Sequence, residues 1–374
     1  MNKLCRQVSI ESPGPSIKDC VFSFEVPVPD VPPMGARIRV VCAGACYRRR
    51  SPSVSSMSSV SSQESTSQEP TQSPAHYGVR DGALFPGYEV AGIVESLGER
   101  ADPATAGPGG LSVGDHVVLY PYEGVPNGYA EYITVPELKY LVKIPESIPL
   151  SVAAMLPTGA LLAMNTVTSA HQYVESILQK RDENGKCKML IVGTGGLALW
   201  AMRIASYKYS STKDRVQLTV ASLKDEGFVL AKERERVNVV QWNEDLYEKQ
   251  LIERTKDACE GEVDIVIDFG TTSRSLHRSL QCLAKGGVVF ISAEVASKLL
   301  PKFSRKAEEN QHTIKAVDTG SIEQLQELVR LVACGEIEPP PHTVFPAEEA
   351  CEVIKKLCHA EIQGRAILQF HSRD

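Results

Sequence analysis

KMLIVGTGGLALWAMRIA, Lys188 to Ala205, is the stretch that decides the fold. Met189–Val192 is an apolar run rich in β-branched residues, and Leu197 onward has the composition of a helix. Between them stands Gly193-Thr194-Gly195-Gly196-Leu197-Ala198, a G-x-G-x-x-A loop in the strand–turn–helix setting that a dinucleotide fingerprint requires. Gly193 permits the tight turn, and Gly195 lets the backbone approach a pyrophosphate. Ala198 lets the helix pack close on the sheet, and the helix N-terminus offers amide N–H groups to phosphate. A glycine turn in an unliganded α/β fold is the bland alternative.

The flanking chain supports the first reading. MLIVG, LTVAS, VNVVQ, VDIVIDF and GGVVFISA are short apolar runs alternating with helical segments. Buried strands spaced by helices indicate a parallel sheet covered on both faces, a doubly wound α/β domain over residues 159–318. Upstream the rhythm differs. VFSFEVPVP, RIRVVCAG, GYEVAGIVESLG, DHVVLY and YAEYITV are β-rich runs divided by Gly, Pro and Asp turns, which make residues 1–158 a β-rich domain. SVAAMLPTGALLAMNTVTSAHQYV is a helical pattern interrupted near Pro157. Residues 319–374 form a return segment with two helical stretches, IEQLQELVRLVACG and AEEACEVIKKLCHA, and a closing strand, RAILQF. Residues 51–76 are dominated by Ser, Gln, Glu and Pro, which bury too little apolar surface to offset ordering entropy. They read as a disordered insertion.

Composition narrows the function. The 374 residues are 43% hydrophobic and 23% charged with a formal net charge of −6, so nucleic acid is not the expected partner. The ten cysteines form no CxxC pair, which points to reduced, buried thiols rather than a zinc ribbon. The N-terminal MNKLCRQVSIESPG has no apolar h-region. The longest apolar stretch is broken by glycines and carries Arg203, unlike a membrane span. A cytoplasmic protein acting on a small-molecule substrate is expected.

The second strand ends Ala221-Ser222-Leu223-Lys224, where an Asp or Glu would accept hydrogen bonds from the ribose of NAD. A hydroxyl and a cation suit a 2′-phosphate, so NADP(H) is favoured over NAD(H). Asp225 follows at once, and a one-residue shift restores the NAD pattern. Lys224 is otherwise a solvated charge at a helix start.

Taken in order, EVPVPDVPPMGARIRVVCAGAC, FPGYEVAGIVESLG, LSVGDHVVLYP, GYAEYITVP, IPLSVAAMLPTGALLAMNTV, GTGGLALWAMRIA, VDIVIDFGTTSRSL, LAKGGVVFISA and GRAILQF resemble the medium-chain dehydrogenase/reductase superfamily along nearly the whole chain. The resemblance implies a GroES-like catalytic domain, a Rossmann domain, a nucleotide cleft between them, hydride transfer from NAD(P)H, and a homodimer. It also implies nicotinamide positioning by the glycine loop and by strand ends near Gly270, Thr271 and Ser292. In the family's zinc members Cys46 matches the first ligand position, Tyr88 stands where a histidine would be, and the third position falls on Pro157 or Thr158. Zinc needs thiolate, imidazole or carboxylate donors, so this donor set implies a member without catalytic zinc. The family's four-cysteine lobe has no counterpart between VVLYPYEGVP and NGYAEY.

Without zinc, hydrogen-bond donors must polarise the substrate. Tyr47 and Tyr88 are the phenols expected near the cleft, as donors to a developing oxyanion or as pocket-wall aromatics. Cys46, near Arg48 and Arg49, is either a reactive thiol or a buried relic. Glu89 and Asp268 read as structural hydrogen-bonding residues. RRRSPSVSS places arginines before Ser51 and Ser53, a pattern basophilic kinases favour, although a tolerated flexible loop explains the same composition.

Overall fold

The computed structural model describes residues 4–10, 20–45, 89–107, 109–122, 128–193, 195–222, 237–242, 246–270, 272–358, 361–362 and 364–371. The insertion at 51–76 lies outside the described residues. The chain divides into two compact units. One comprises Met1–Ala154, Thr343–Ile362 and Ala366–Asp374, and the other Met155–His342 and Gln363–Arg365.

The first unit is antiparallel. β1 (Leu4–Ile10) pairs with β2 (Cys20–Pro27). The larger sheet is organised on β3 (Ala36–Ala45), which pairs with β4 (Val90–Leu97). β4 pairs with β5 (His116–Leu119), β6 (Tyr132–Val135) pairs with β3, and β7 (Leu141–Lys143) pairs with β5. Ile38, Val40, Val94, Val117, Leu119, Ile133 and Leu141 form its core. β6 and the first half of β3 alternate buried with half-buried residues, whereas the second half of β3 and residues 117–119 of β5 are buried throughout.

At residue 150 the chain turns helical. α1 (Leu150–Ala153) is followed by a single π-helical turn, Leu156–Ala160, and then by α2 (Leu161–Lys180). Pro157 has no N–H to give a regular α-helix, which accounts for the break at the expected place. β8 (Cys187–Val192) then enters the second sheet, with Met189, Leu190, Ile191 and Val192 all completely buried. A strand covered on both faces has no polar side, so its residues run apolar without alternation. α3 (Gly196–Lys208), β9 (Val216–Ser222), β10 (Asn238–Gln241), α4 (Glu248–Ala258), β11 (Val263–Asp268), α5 (Ser273–Cys282), β12 (Leu283–Ser292), α6 (Ala293–Glu309) and β13 (Thr313–Val317) follow. The sheet order is β10-β9-β8-β11-β12-β13, and every pairing is parallel. That order, third–second–first–fourth–fifth–sixth, is the Rossmann doubly wound arrangement. The expected fold class is therefore observed: a Rossmann sheet together with a β-rich unit.

One boundary differs from the sequence reading. α7 (Ile322–Ala333) packs with α2 and the π-helical turn inside the α/β unit, so the chain leaves that unit at His342 rather than at 318. β14 (His342–Pro346), α8 (Ala350–Cys358) and β15 (Arg365–Gln369) then return, and β15 pairs antiparallel with β3.

Candidate functional site

Parallel strands end together. β8 stops at Val192, β9 at Ser222, β11 at Asp268 and β12 at Ser292, so Gly193, Gly195, Gly196, Leu197, Ser222, Gly270 and Ser292 all fall along one edge of the sheet. Val192 is in register with Ala221 on one side and Asp268 on the other. The strand order reverses between β8 and β11, and that switch point is where open α/β sheets bind ligands.

The glycine loop has the backbone that the fingerprint demands. Gly193 has φ +151°, and its N–H donates to Ala221 O at 3.0 Å. A Cβ there would stand 3.3 Å from the Cβ atoms of both Ala198 and Phe269. Gly195 caps α3 with φ +77° and ψ −158°, a conformation essentially restricted to glycine. Beyond its chain neighbours, a Cβ on Gly195 would meet no atom of the described residues within 4 Å, so the loop presents bare backbone there. The first N–H groups of α3 have no partner within the helix, and the helix dipole adds partial positive charge. Leu197 is half-buried and faces the π-helical turn, where a Cβ on Gly159 would lie 3.9 Å from its Cδ1. A phosphate-sized anion fits this loop chemically.

Sequence reasoning missed Arg365. A Cβ on Gly196 would lie 2.9 Å from Arg365 Cδ and 3.1 Å from its Cγ, so the arginine stem lies against the glycine loop. Its guanidinium belongs to the same neighbourhood, and arginine matches phosphate oxygens in a bidentate fork. The available signal was only a Gly-Arg pair ahead of the closing strand. Nothing local in GRAILQF ties it to residue 196.

On the other side of the switch point Asp268 is buried, and three donors meet it. Gly270 N–H and Ser275 Oγ donate to Oδ1 at 2.7 and 2.6 Å, and Ser279 Oγ donates to Oδ2 at 2.8 Å. Burial pushes its pKa above the usual carboxylate range, and the three hydrogen bonds oppose that shift. The sequence reading of Asp268 as a hydrogen-bonding residue matches this geometry. Ser292 caps α6, its Oγ accepting from Val295 N–H at 3.4 Å. Ser222 is only 1% exposed, and its carbonyl accepts from Trp242 N–H at 2.8 Å. Beyond β10, buried Arg278 lies over the Trp242 ring at 5.3 Å and forks onto Glu248 at 2.6 and 2.8 Å.

Thr194, Lys224 and Thr271 lie outside the described residues, as do Cys46, Tyr47, Tyr88, Ser51 and Ser53. The described neighbours of Cys46 and Tyr88 form a tight backbone site. Gly44 N–H donates to Glu89 O at 2.8 Å, and Tyr129 Oη donates to Gly44 O at 3.0 Å. Glu89 is buried, with its carboxylate against Gly44. Pro157 and Thr158 sit in the π-helical turn and carry no thiolate, imidazole or carboxylate. Among the described residues no group of three or more His, Cys, Asp or Glu side chains is placed to hold a metal ion.

Residues 244–368 match the family described as zinc-binding dehydrogenase. That match begins beyond Cys46, Tyr88, Pro157 and Thr158, so it does not reach the zinc-ligand positions. A zinc-type alcohol dehydrogenase-like protein of Schizosaccharomyces pombe is 22% identical over 309 residues, 76% of this chain and 82% of that protein. The structure of a quinone oxidoreductase from Coxiella burnetii superposes with a TM-score of 0.67 at 17% identity, covering 99% of this chain and 100% of the other. An acetophenone reductase from Geotrichum candidum, solved in complex with NAD, gives a TM-score of 0.62 at 17% identity over 99% and 98% of the two chains. At these identities the solved structures establish likeness of fold.

Proposed function

We propose that the chain is a zinc-independent, NADPH-dependent oxidoreductase of the medium-chain dehydrogenase/reductase superfamily that transfers hydride to a carbonyl or an activated alkene of quinone, enal or enone type, a reading that the family match and the relatives support. The observation that carries the reading is the backbone of Gly193 and Gly195, held in glycine-only conformations at the N-terminus of α3 and at the switch point of the sheet. A bound nicotinamide nucleotide supplies the hydride. The chain's own residues bind and orient that nucleotide and exclude water from the transfer. The backbone of Gly193–Gly196 and the α3 N-terminus receive the pyrophosphate, and Arg365 neutralises it. Gly270, Thr271 and Ser292 line the strand ends on the nicotinamide side. Lys224 is the candidate partner of a 2′-phosphate. Ser222 is buried, so the cation carries that preference.

For the chemistry at the substrate, Tyr88 and Tyr47 are the candidate donors to a developing oxyanion, with Cys46 as a candidate thiol. The zinc-independent reading rests on the donor set: one cysteine, one tyrosine, and a proline or threonine do not make a catalytic zinc site. A homodimer working in the cytoplasm on a small apolar carbonyl compound completes the proposal. Among the described residues no helix is long and apolar enough to cross a membrane. Phosphorylation at Ser51 and Ser53 is a further part of the proposal, and phosphosite mapping of the cellular protein tests it.

The test is a fluorescence titration with NADPH and NADH, followed by cofactor oxidation against a panel of quinones, enals and aldehydes. NADPH binding tighter than NADH, with turnover on at least one class, is the expected result. NADPH binding without turnover on any class supports instead a nucleotide-binding protein whose inserted loop serves a partner. The exchange of a metal-ligand position for Tyr88 favours that second reading. Failure to bind either nucleotide refutes both.

A further inference from the structure

Two serines occupy positions on α5 where packing alone calls for apolar residues. Ser275 and Ser279 are 2% and 0% exposed, next to Leu276 and Leu280 at 1% and 2%. Four residues apart, they share one helix face, and both hydroxyls reach the same carboxylate, that of Asp268. A buried carboxylate without a cation is costly, and apolar residues of similar volume fill such space without that cost. The carboxylate does one thing a leucine does not: it holds the backbone of the chain as it leaves β11.

The hold is two-sided. Asp268 Oδ1 accepts from Gly270 N–H, and a Cβ on Gly270 would fall 2.1 Å from Ser275 Oγ and 2.6 Å from its Cβ, so Ser275 is pressed against that residue. At the far end, Thr272 Oγ1 accepts from Ser275 N–H at 3.0 Å. The start of this loop is tied to the nucleotide strand, with Phe269 N–H donating to Val192 O at 2.9 Å. The loop stands at the ends of β11 and β12, across β8 from the end of β9, where the adenosine half belongs.

We propose that Asp268, Ser275 and Ser279 form a clamp that positions Gly270 and Thr272 against the nicotinamide half of the cofactor, acting as positioning residues that do not touch it themselves. The inference rests on the nucleotide reading above. It makes a specific demand: loosening the clamp must weaken recognition of the nicotinamide half and spare the adenosine half.

The experiment titrates the full-length chain with NADPH and with 2′-phospho-ADP-ribose, which lacks the nicotinamide. NADH and ADP-ribose serve as the matching pair if NADH binds better. Wild-type protein that binds none of these overturns the nucleotide reading itself. Given wild-type binding, Ser275→Ala is expected to weaken NADPH roughly tenfold while the fragment stays within about twofold of wild type, which also shows that the variant is folded. Asp268→Asn retains an acceptor for Gly270 N–H and for the Ser275 hydroxyl, and is expected to recover most of the NADPH affinity. Thr272→Ala, at an exposed position, loosens the loop without opening the core. It is expected to shift the NADPH-to-fragment ratio in the same direction, roughly threefold, and decides the matter if Ser275→Ala does not fold. Equal weakening of both ligands, or an unchanged ratio in the folded variants, overturns the clamp.

Discussion

Gly195→Ala separates the two costs that glycine avoids in this loop, backbone strain and obstruction of a ligand. At φ +77° and ψ −158° an alanine costs about 1–3 kcal/mol of strain, offset by roughly 0.4–1 kcal/mol from a stiffer unfolded chain. Beyond its chain neighbours the new Cβ meets no atom of the described residues within 4 Å, so no clash with them adds to the strain. A matched control lies in the same unit: Gly286 has φ +81°, and a Cβ there also meets nothing within 4 Å. Both variants are therefore expected to melt a few degrees below wild type, at about 2–4 °C per kcal/mol for a domain of this size. Their nucleotide affinities should diverge. Displacing a pyrophosphate from one backbone N–H group removes a charge-assisted hydrogen bond of about 1.5–3 kcal/mol, roughly a 10- to 100-fold loss of NADPH affinity. Thermal melting and NADPH fluorescence titration measure the two effects on the same samples. If Gly195→Ala binds NADPH as tightly as Gly286→Ala, the glycine loop does not receive the pyrophosphate.

Arg365→Ala should weaken NADPH about tenfold and flatten the salt dependence of binding, whereas an unchanged affinity would remove the arginine from the site. Glu248→Gln leaves buried Arg278 with only a neutral partner, and should cost about 1–2 kcal/mol in a urea melt at pH 7. The Arg278 hydrogen bonds hold the Glu248 carboxyl below its ordinary value of 4.5, so its stabilisation is present above that pH and is lost as pH falls through the lower, folded value. The wild type should therefore lose this increment on acidification below 4.5, and Glu248→Gln should lack it. Burial pushes the Cys187 and Cys282 thiols up to about 12, while Cys334 is exposed. Iodoacetamide at pH 8 followed by peptide mass mapping should find Cys334 alkylated and the other two protected until the chain is unfolded.

What the sequence reveals follows burial. β8, β11 and the second half of β12 are written in largely apolar, buried residues because both of their faces are covered, and the break near Pro157 is written in the proline itself. β13 escapes notice because Thr313, Lys315 and Ala316 face solvent at the edge of the sheet, leaving no apolar run to detect. β1, β7 and β14 are similarly short or half-exposed. The glycine loop is legible because its chemistry is local, with strand, turn and helix in one continuous stretch. Arg365 is not, because only the closing of the fold brings it to Gly196. Ser275 and Ser279 look like the polar face of an amphipathic helix until the buried Asp268 is seen across from them. The placing of Cys46, Tyr47 and Tyr88 rests on family resemblance alone.

The most direct test of the central claim follows one atom. NADPH carrying deuterium at C4 is incubated with the wild-type protein and a panel of enals, enones and aldehydes, and the products are analysed by mass spectrometry and NMR. Deuterium should appear on the alkene β-carbon or the carbonyl carbon of at least one product, and Gly195→Ala should slow the transfer roughly 10- to 100-fold at the same sub-saturating cofactor concentration. NADPH bound tightly by the wild type with deuterium retained against every acceptor would contradict hydride transfer to an enal, enone or aldehyde as this protein's function.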